Sequence, residues 1–308
     1  MVYLLAFVAA LVNALASIMQ RLGVEDAPKD SALSTKLISH MFTRVIWLGG
    51  FVFMGVGFIA QATALHAGSL TVVQPILVSE LVITVLVMWL WFAMNLRPID
   101  ALATLVTTGG LAGFLAIAAP STGSHAPSHV EWIATTAAVV AVAIIFVIAA
   151  RRGPTWWRAL SLGAAASVGF ALTAALTKTA TDALAHGLGS LLTSPATYGL
   201  TVAGLGSFFL MQSAFQAGPF AASQSSLILI NPIVSVILGI GLFGDTLRHT
   251  PVALAGEIAT FAALIVGAVF LARSPLVAGA HDENEYSLAG RGQFARWRAR
   301  RRASSRDK

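Results

Sequence analysis

Apolar residues follow one another along this chain in runs of about 20, the length that a helix needs to cross a hydrocarbon core of about 30 Å. Turn-forming segments such as Ala67-Gly68-Ser69 and Arg152-Gly153-Pro154 separate the runs. Irregular backbone cannot face lipid and no run alternates with a period of two, so each run is predicted to be a helix rather than a barrel strand. The pattern predicts an all-α membrane protein of about nine transmembrane helices, at 2–22, 45–66, 70–94, 97–119, 130–150, 157–184, 196–217, 220–243 and 250–272.

Composition strengthens this prediction. Of 308 residues, 57% are hydrophobic and 10% are charged, and the mean hydropathy is +0.81. Ordinary globular domains carry about 25% charged residues, so a soluble fold is excluded. We expect a multi-pass protein of the cytoplasmic (inner) membrane, whose constant partner is the lipid bilayer. Because the chain has no cysteine, disulfides, thiolate nucleophiles and cysteine-bound metals are excluded.

Basic residues lie almost entirely on one side of the predicted membrane. All but two of the 19 Lys and Arg residues fall in or beside alternate loops or in the C-terminal segment. The exceptions are Arg248, in a loop of the opposite side, and Lys178, within a predicted helix. By the positive-inside rule, the N-terminus is outside, the C-terminus is cytoplasmic and the number of crossings is odd.

Two segments lie outside the predicted spans. The connection 23–44 contains an apolar stretch from Leu33 to Phe42, which predicts an interfacial helix, although a partial tenth helix over 31–44 stays open. The segment 273–308 is a basic cytoplasmic tail, predicted to be disordered. It either fixes the topology only or also contacts anionic lipid. Without a folded scaffold in this tail, we expect no nucleic-acid binding.

The chain resembles itself at a separation of 150 residues. Ala67-Gly68 matches Ala217-Gly218, and Gln74, six residues later, matches Gln224. Further identities pair Val52 with Val202, Phe58 with Phe208, Ala64 with Ala214, Leu77 with Leu227 and Ile83 with Ile233. We therefore divide the polytopic domain 1–272 into repeat one (2–119), a linking helix (130–150) and repeat two (157–272). The linking helix inverts the second repeat, and inverted repeats are a recurrent transporter architecture with the substrate site between them.

Several motifs resemble the drug/metabolite transporter superfamily, with its EamA-like domains. They are Trp47-Leu48-Gly49-Gly50, Met54-Gly55-Val56-Gly57, Gln61 through Leu70, Gln74-Pro75, Ala214 through Pro219, Asn231-Pro232-Ile233-Val234 and Leu242-Phe243-Gly244-Asp245. The nearest likeness is to the nine-helix, NIPA-like magnesium transporter branch. The resemblance implies an alternating-access carrier. That branch typically has an acidic residue just after the glycines of its second helix, where this chain runs Gly57-Phe58-Ile59-Ala60-Gln61.

Glu80 is the strongest candidate for a transport residue. It lies near the middle of span 70–94, where a carboxylate costs a few kcal/mol unless it is paired, hydrated or protonated. It is either a coupling site or cation ligand, or a structural carboxylate that is kept neutral or paired with Lys178. Lys178 in turn has Asp182 at i+4, the spacing of a helical ion pair, so it is either a structural partner or a substrate-binding lysine.

Other polar residues inside the predicted spans are weaker candidates. Gln74, Gln224 and Asn231 lie in corresponding helices of the two repeats, where they would bind a polar solute or join helices. Glu257, about one third into the last span, is interpreted as mainly structural, bonded to a helix terminus or a hydroxyl. Asn13 shares one face of the first helix with Ser17 and Gln20, and that face points at protein or water.

These features favour a secondary transporter of a small organic solute. The alternative is a divalent-cation (Mg²⁺) transporter, which would use Glu80 as a metal ligand together with another carboxylate. The second alternative is a non-transporting receptor or scaffold, although no large extramembrane domain is present. No H-E-x-x-H, G-x-S-x-G or phosphate-loop motif occurs, so an enzyme is not expected and no cofactor is implied. A homodimer stays open.

Overall fold

The structure, a computed structural model, describes residues 1–24, 45–90, 96–218, 220–248 and 250–274. The described part of the chain is helical throughout and carries no strand; one isolated antiparallel bridge joins Ser121 and Thr246. The helices are α1 (Val2–Val24), α2 (Val45–Ala67), α3 (Leu70–Leu77), α4 (Ser79–Leu90), α5 (Pro98–Ala118), α6 (His129–Ala149), α7 (Thr155–Ala185), α8 (Leu188–Thr193), α9 (Pro195–Ala217), α10 (Phe220–Phe243) and α11 (Pro251–Ala272). The predicted interfacial segment and tail lie outside the described residues.

Within the described ranges, eight helical stretches are long and apolar enough to cross a membrane. The chain is therefore an all-α, multi-pass membrane protein. These stretches agree with eight of the nine predicted spans. The ninth prediction, 196–217, coincides with α9, a helix of 23 residues that is not among the eight. Its apolar residues are interspersed with Gly, Ser, Thr and Gln, so nine crossings stay a prediction.

The predicted helix 70–94 is interrupted. Leu70 to Leu90 forms one candidate span, but α3 ends at Leu77 and α4 begins at Ser79. Pro75 lacks a backbone N–H and its ring crowds the preceding turn, so it weakens the regular helical ladder. Val78 N–H donates to the Pro75 carbonyl (3.2 Å) and Leu81 N–H to the Val78 carbonyl (3.2 Å), which are the i→i−3 bonds of a tightened turn. The interruption places Glu80 in the first turn of α4.

Helix packing follows the same plan before and after α6. In the first half (α1–α5), α1 packs along α2 and against α3 and α4. In the second half (α7–α11), α7 packs along α9 and against α10. The halves meet where α3 contacts α10 and where α5 lies along α11. Glycines on α5 and α11, Gly110 and Gly267, bring these two backbones close together.

The loops gather at two ends of the helix bundle. At one end, Val2 contacts Gly68, and the segment after α5 pairs with the segment after α10 through Ser121 and Thr246. At the other end, Gly218 lies against the Thr155 carbonyl, and Arg273 donates to Ser225 Oγ (3.1 Å).

Candidate functional site

Glu80 lies where three helices of the first half meet. Ser17 Oγ, on α1, donates a hydrogen bond to Glu80 Oε1 at 3.0 Å. The carboxylate belongs to the first turn of α4, the end of a helix at which the helix dipole favours negative charge. Its side chain is only partly buried. The break after Pro75 therefore places the start of a helix within the apolar span, where its dipole stabilises the Glu80 carboxylate.

A pocket of about 220 Å³ opens beside this carboxylate. Its lining comes from α1, α2 and α4: Asn13, Ala16, Ser17, Met54, Phe58, Gln61 and Glu80. The α2 residues are spaced i, i+4 and i+7, so they line a single face of that helix. One carboxylate, two amides and one hydroxyl thus share a space with a thioether and a phenyl ring. The predicted site residue Asn13 lies in this pocket, and Gln61 joins it although its sequence position suggested only a family motif.

Two predicted pairings of Lys178 are wrong. Among the described residues, no ion pair joins Lys178 to Asp182 or to Glu80. The Lys178 ammonium donates instead to the carbonyls of Leu65 (2.9 Å) and Gly68 (2.8 Å) and lies 5.8 Å from the ring centre of Phe243. The last carbonyls of a helix have no partner within it, and a cation is favoured at that end, so the C-terminus of α2 binds this lysine.

Asp182 bonds to a different partner across the halves. Its Oδ1 lies 2.6 Å from His66 Nδ1, and both side chains are about half exposed, at 47% and 45%. This pair adds a contact between α2 and α7.

Several buried polar atoms, on helices that contact the other half, have no partner within the described residues. In the first half they are Gln74 Nε2 and Ser79 Oγ. In the second half they are Ser161 Oγ, Asn231 Oδ1 and Ser235 Oγ. Gln74 is only 3% exposed, so its amide nitrogen is removed from bulk water. Such groups ordinarily bond to protein, water or ligand, which makes this junction a second polar region.

Two further residues that the sequence predicted for the site, Gln224 and Glu257, lie on α10 and α11. Gln224 lies within α10, but its side chain is outside the described part of the structure. Glu257 is 3% exposed and its Oε1 has no partner among the described residues. The expected bond from this oxygen to a helix terminus or a hydroxyl is therefore not formed. Nearby Thr260 Oγ1 bonds to the backbone carbonyls of Gly256 and Glu257 instead.

Asp245 is a functional candidate that the sequence reasoning missed. It is 2% exposed, and Oδ2 accepts from the Thr71 hydroxyl (2.5 Å) and the Thr71 N–H (3.3 Å). Its other oxygen, Oδ1, accepts from Gly123 N–H at 3.0 Å. The only sequence signal was its place in an acidic turn after Leu242-Phe243-Gly244. Its partners are distant in sequence, so no local pattern could identify them.

Metal ligands are sparse around Glu80. In the ranges that the structure covers, no three His, Cys, Asp or Glu residues form a group that could hold a metal ion. The pocket lining supplies one carboxylate together with neutral oxygen atoms. The second carboxylate that the magnesium interpretation calls for is not part of that lining.

Comparisons with known proteins give one relative. The chain is 28% identical over 244 residues to an uncharacterized protein of Corynebacterium glutamicum, covering 79% of this chain and 84% of the relative. No family model matches the sequence, and no solved structure matches it.

Proposed function

We propose that this protein is a secondary transporter that moves a small organic solute across the cytoplasmic membrane by alternating access. The observation that carries the proposal is the Glu80 pocket. A carboxylate inside an apolar span is expensive and generally functional. Here it lies at a helix interruption, receives a bond from Ser17 and borders a pocket with three further polar side chains. Interrupted helices with polar linings are the usual binding elements of such carriers.

The helix arrangement supports an inverted repeat of four helices, a linking helix and four helices. The pair α1 and α2 has its counterpart in α7 and α9, and the contacts of α1 with α3 and α4 have theirs in α7 with α10. The contacts α3–α10 and α5–α11 each join equivalent helices, as expected along an axis relating two repeats. With the basic residues at one end, this arrangement favours an external N-terminus and a cytoplasmic C-terminus.

Charge balance disfavours the divalent-cation alternative. One carboxylate neutralises a monovalent cationic group or a proton, whereas a divalent ion beside Glu80 would keep a net positive charge in a medium of low polarity. Apolar lining from Met54 and Phe58 also suits an organic group better than a hydrated metal ion. The solute interpretation therefore explains more of the lining.

The test is a ligand screen followed by flux measurements. Thermal stabilisation in detergent, with metabolites, cationic drugs and Mg²⁺ as probes, identifies a ligand, and proteoliposomes then measure its movement. We expect Glu80→Gln to abolish flux while the protein stays folded and inserted. Glu131→Gln, which neutralises an exposed carboxylate outside the pocket, is the matched control and should retain flux. Full transport by Glu80→Gln would refute the role of Glu80, and Mg²⁺ flux without solute flux would favour the alternative.

A further inference from the structure

Hydrogen bonds join the two halves densely at one end of the bundle. We define the latch as Thr71 and Asp245, with Gly123, Ser121 and Thr246. The carboxylate of Asp245, which follows α10, accepts three hydrogen bonds. The donors are the Thr71 hydroxyl and the N–H groups of Thr71 and Gly123. Ser121 and Thr246 exchange both backbone bonds, at 3.0 and 3.2 Å, and their hydroxyls are 2.5 Å apart. Both segments after the helices are thus tied across the halves.

The start of α3 is the buried part of the latch. Thr71 is fully buried and Asp245 nearly so, and the charge on Asp245 is satisfied by donors from α3 and from the segment after α5. Gly239 makes room for this contact, because a Cβ there would lie 2.6 Å from Asp245 Oδ2 and 2.7 Å from Thr71 Oγ1. Separation of the halves at this end would leave a buried carboxylate without its donors until water replaced them.

Polar groups without partners lie directly beneath the latch. Gly239 on α10 is opposite Thr71 on α3. A helical rise of about 1.5 Å per residue therefore places Gln74 about 4.5 Å deeper and Ser235 about 6 Å deeper. Both side chains are buried, and Gln74 Nε2 and Ser235 Oγ lack partners in the described structure. The latch therefore closes one end of a polar junction between the halves.

At the opposite end of the bundle, two arginines of the described ranges form bonds within their own half. Arg97 binds Asp100 through two bonds of 2.9 Å within the first half, and Arg273 binds Ser225 within the second. Asp100 is as buried as Asp245, at 2% exposed, so the two carboxylates differ in what they join rather than in burial. One ties two halves together, and the other caps its own helix.

We propose that the latch is a gate, closed in this conformation, which opens during the transport cycle to expose the polar junction at that end. The proposal rests on the proposed transport function. A carboxylate that holds two rigid halves by several bonds provides two discrete states, bonded and hydrated, as alternating access requires.

The first test fixes the gate with a disulfide. Because the chain has no cysteine, Ser121→Cys with Thr246→Cys introduces one defined pair. Residues that exchange both antiparallel backbone bonds have Cα atoms about 5.5 Å apart, within disulfide range. We expect oxidation to stop flux and reductant to restore it, while each single variant is unaffected. Unchanged flux after complete cross-linking would refute the gate.

The second test needs no flux and so separates failure of the gate from failure of the transport proposal. Ser235→Cys is labelled with a membrane-impermeant maleimide that is applied from the side of the membrane on which the latch lies. Labelling of the exposed reporter Thr122→Cys establishes which side that is. Adding Asp245→Asn should accelerate labelling by about tenfold, the effect expected from losing one charge-assisted bond in a two-state equilibrium. Asp100→Asn is the matched control and should leave the rate unchanged.

The outcomes are distinct. Faster labelling with Asp245→Asn but no flux of any ligand would retain the gate and overturn the transport proposal. Equal rates in the parent and Asp245→Asn, or the same acceleration with Asp100→Asn, would overturn the gate. Should Asp245→Asn fail to fold, the disulfide pair still decides the question.

Discussion

The two halves of the molecule differ in side-chain chemistry at positions that the separation of 150 residues pairs. Positions 150 residues apart place Asn13, Ser17 and Glu80 of the first half against Gly163, Ser167 and Ile230 of the second. The first set lines the pocket together with Ala16 of α1 and three residues of α2. The second set packs: Ser167 Oγ bonds to the Gly163 carbonyl (2.7 Å) and the Ser226 carbonyl (3.2 Å).

The difference follows from one residue on each first helix. A Cβ at Gly163 would overlap Ser226 Oγ and lie 2.8 Å from the Ser223 carbonyl, so glycine lets α7 and α10 approach closely. Asn13 at the matching position instead extends its amide toward Gly57 of α2. The first half thus has an open, polar pocket at positions whose counterparts, 150 residues later, form a tight helix contact.

The largest expected effect comes from transferring the asparagine into the packed half. Gly163→Asn forces a side chain into the α7–α10 contact, and overpacking of this kind costs about 1 to 3 kcal/mol or more. We expect a lower thermal midpoint in detergent. Gly189→Asn is the control, because a Cβ added at Gly189 would point into open space, and it should leave the midpoint nearly unchanged. An unaltered midpoint in Gly163→Asn would contradict the packing contrast.

The reverse transfer tests the pocket. Asn13→Gly removes an amide from the lining, so it should weaken ligand affinity by about tenfold, the equivalent of one hydrogen bond of about 1.4 kcal/mol. Ligand-induced stabilisation measured over a concentration series gives this affinity. If affinity is unchanged while flux persists, the solute binds elsewhere and the polar junction near Gln74 becomes the better site.

The smallest expected effects come from replacing the paired serines, Ser17 and Ser167, with alanine. Ser17→Ala removes the donor to Glu80 and should alter the pH dependence or rate of flux, with little loss of stability. Ser167→Ala should lower the free energy of unfolding by about 1 kcal/mol, because it loses bonds that join helix backbones, and leave flux intact. Comparable effects of both changes on flux would mean that the halves do not divide these roles.

Sequence reasoning predicted the eight candidate spans of the described chain, because the length and apolar character of a run determine them. It also singled out Glu80, since a carboxylate within an apolar run is conspicuous. It did not locate the helix break at Val78, because a proline inside a span is compatible with a continuous helix. Lys178 was assigned to Asp182 by local spacing, yet its actual partners, the carbonyls of Leu65 and Gly68, depend on how α2 and α7 pack.

Asp245 shows the same limit more strongly. Its partner Thr71 is 174 residues away, and the bond exists only because α3 and α10 are antiparallel neighbours. The unpartnered atoms of Gln74, Asn231 and Ser235 likewise depend on tertiary packing, so sequence could mark these residues as polar but not as unsatisfied.

Helix α7 is 31 residues long, which corresponds to about 46 Å, whereas the hydrocarbon core is about 30 Å thick. A helix with this mismatch tilts or extends beyond the headgroups. Because α7 packs against α9, α10 and α2, a change in its tilt would move elements of both halves together. The acyl-chain length of the surrounding lipid should therefore change the tilt of α7 and, through its contacts, the position of helices in both halves.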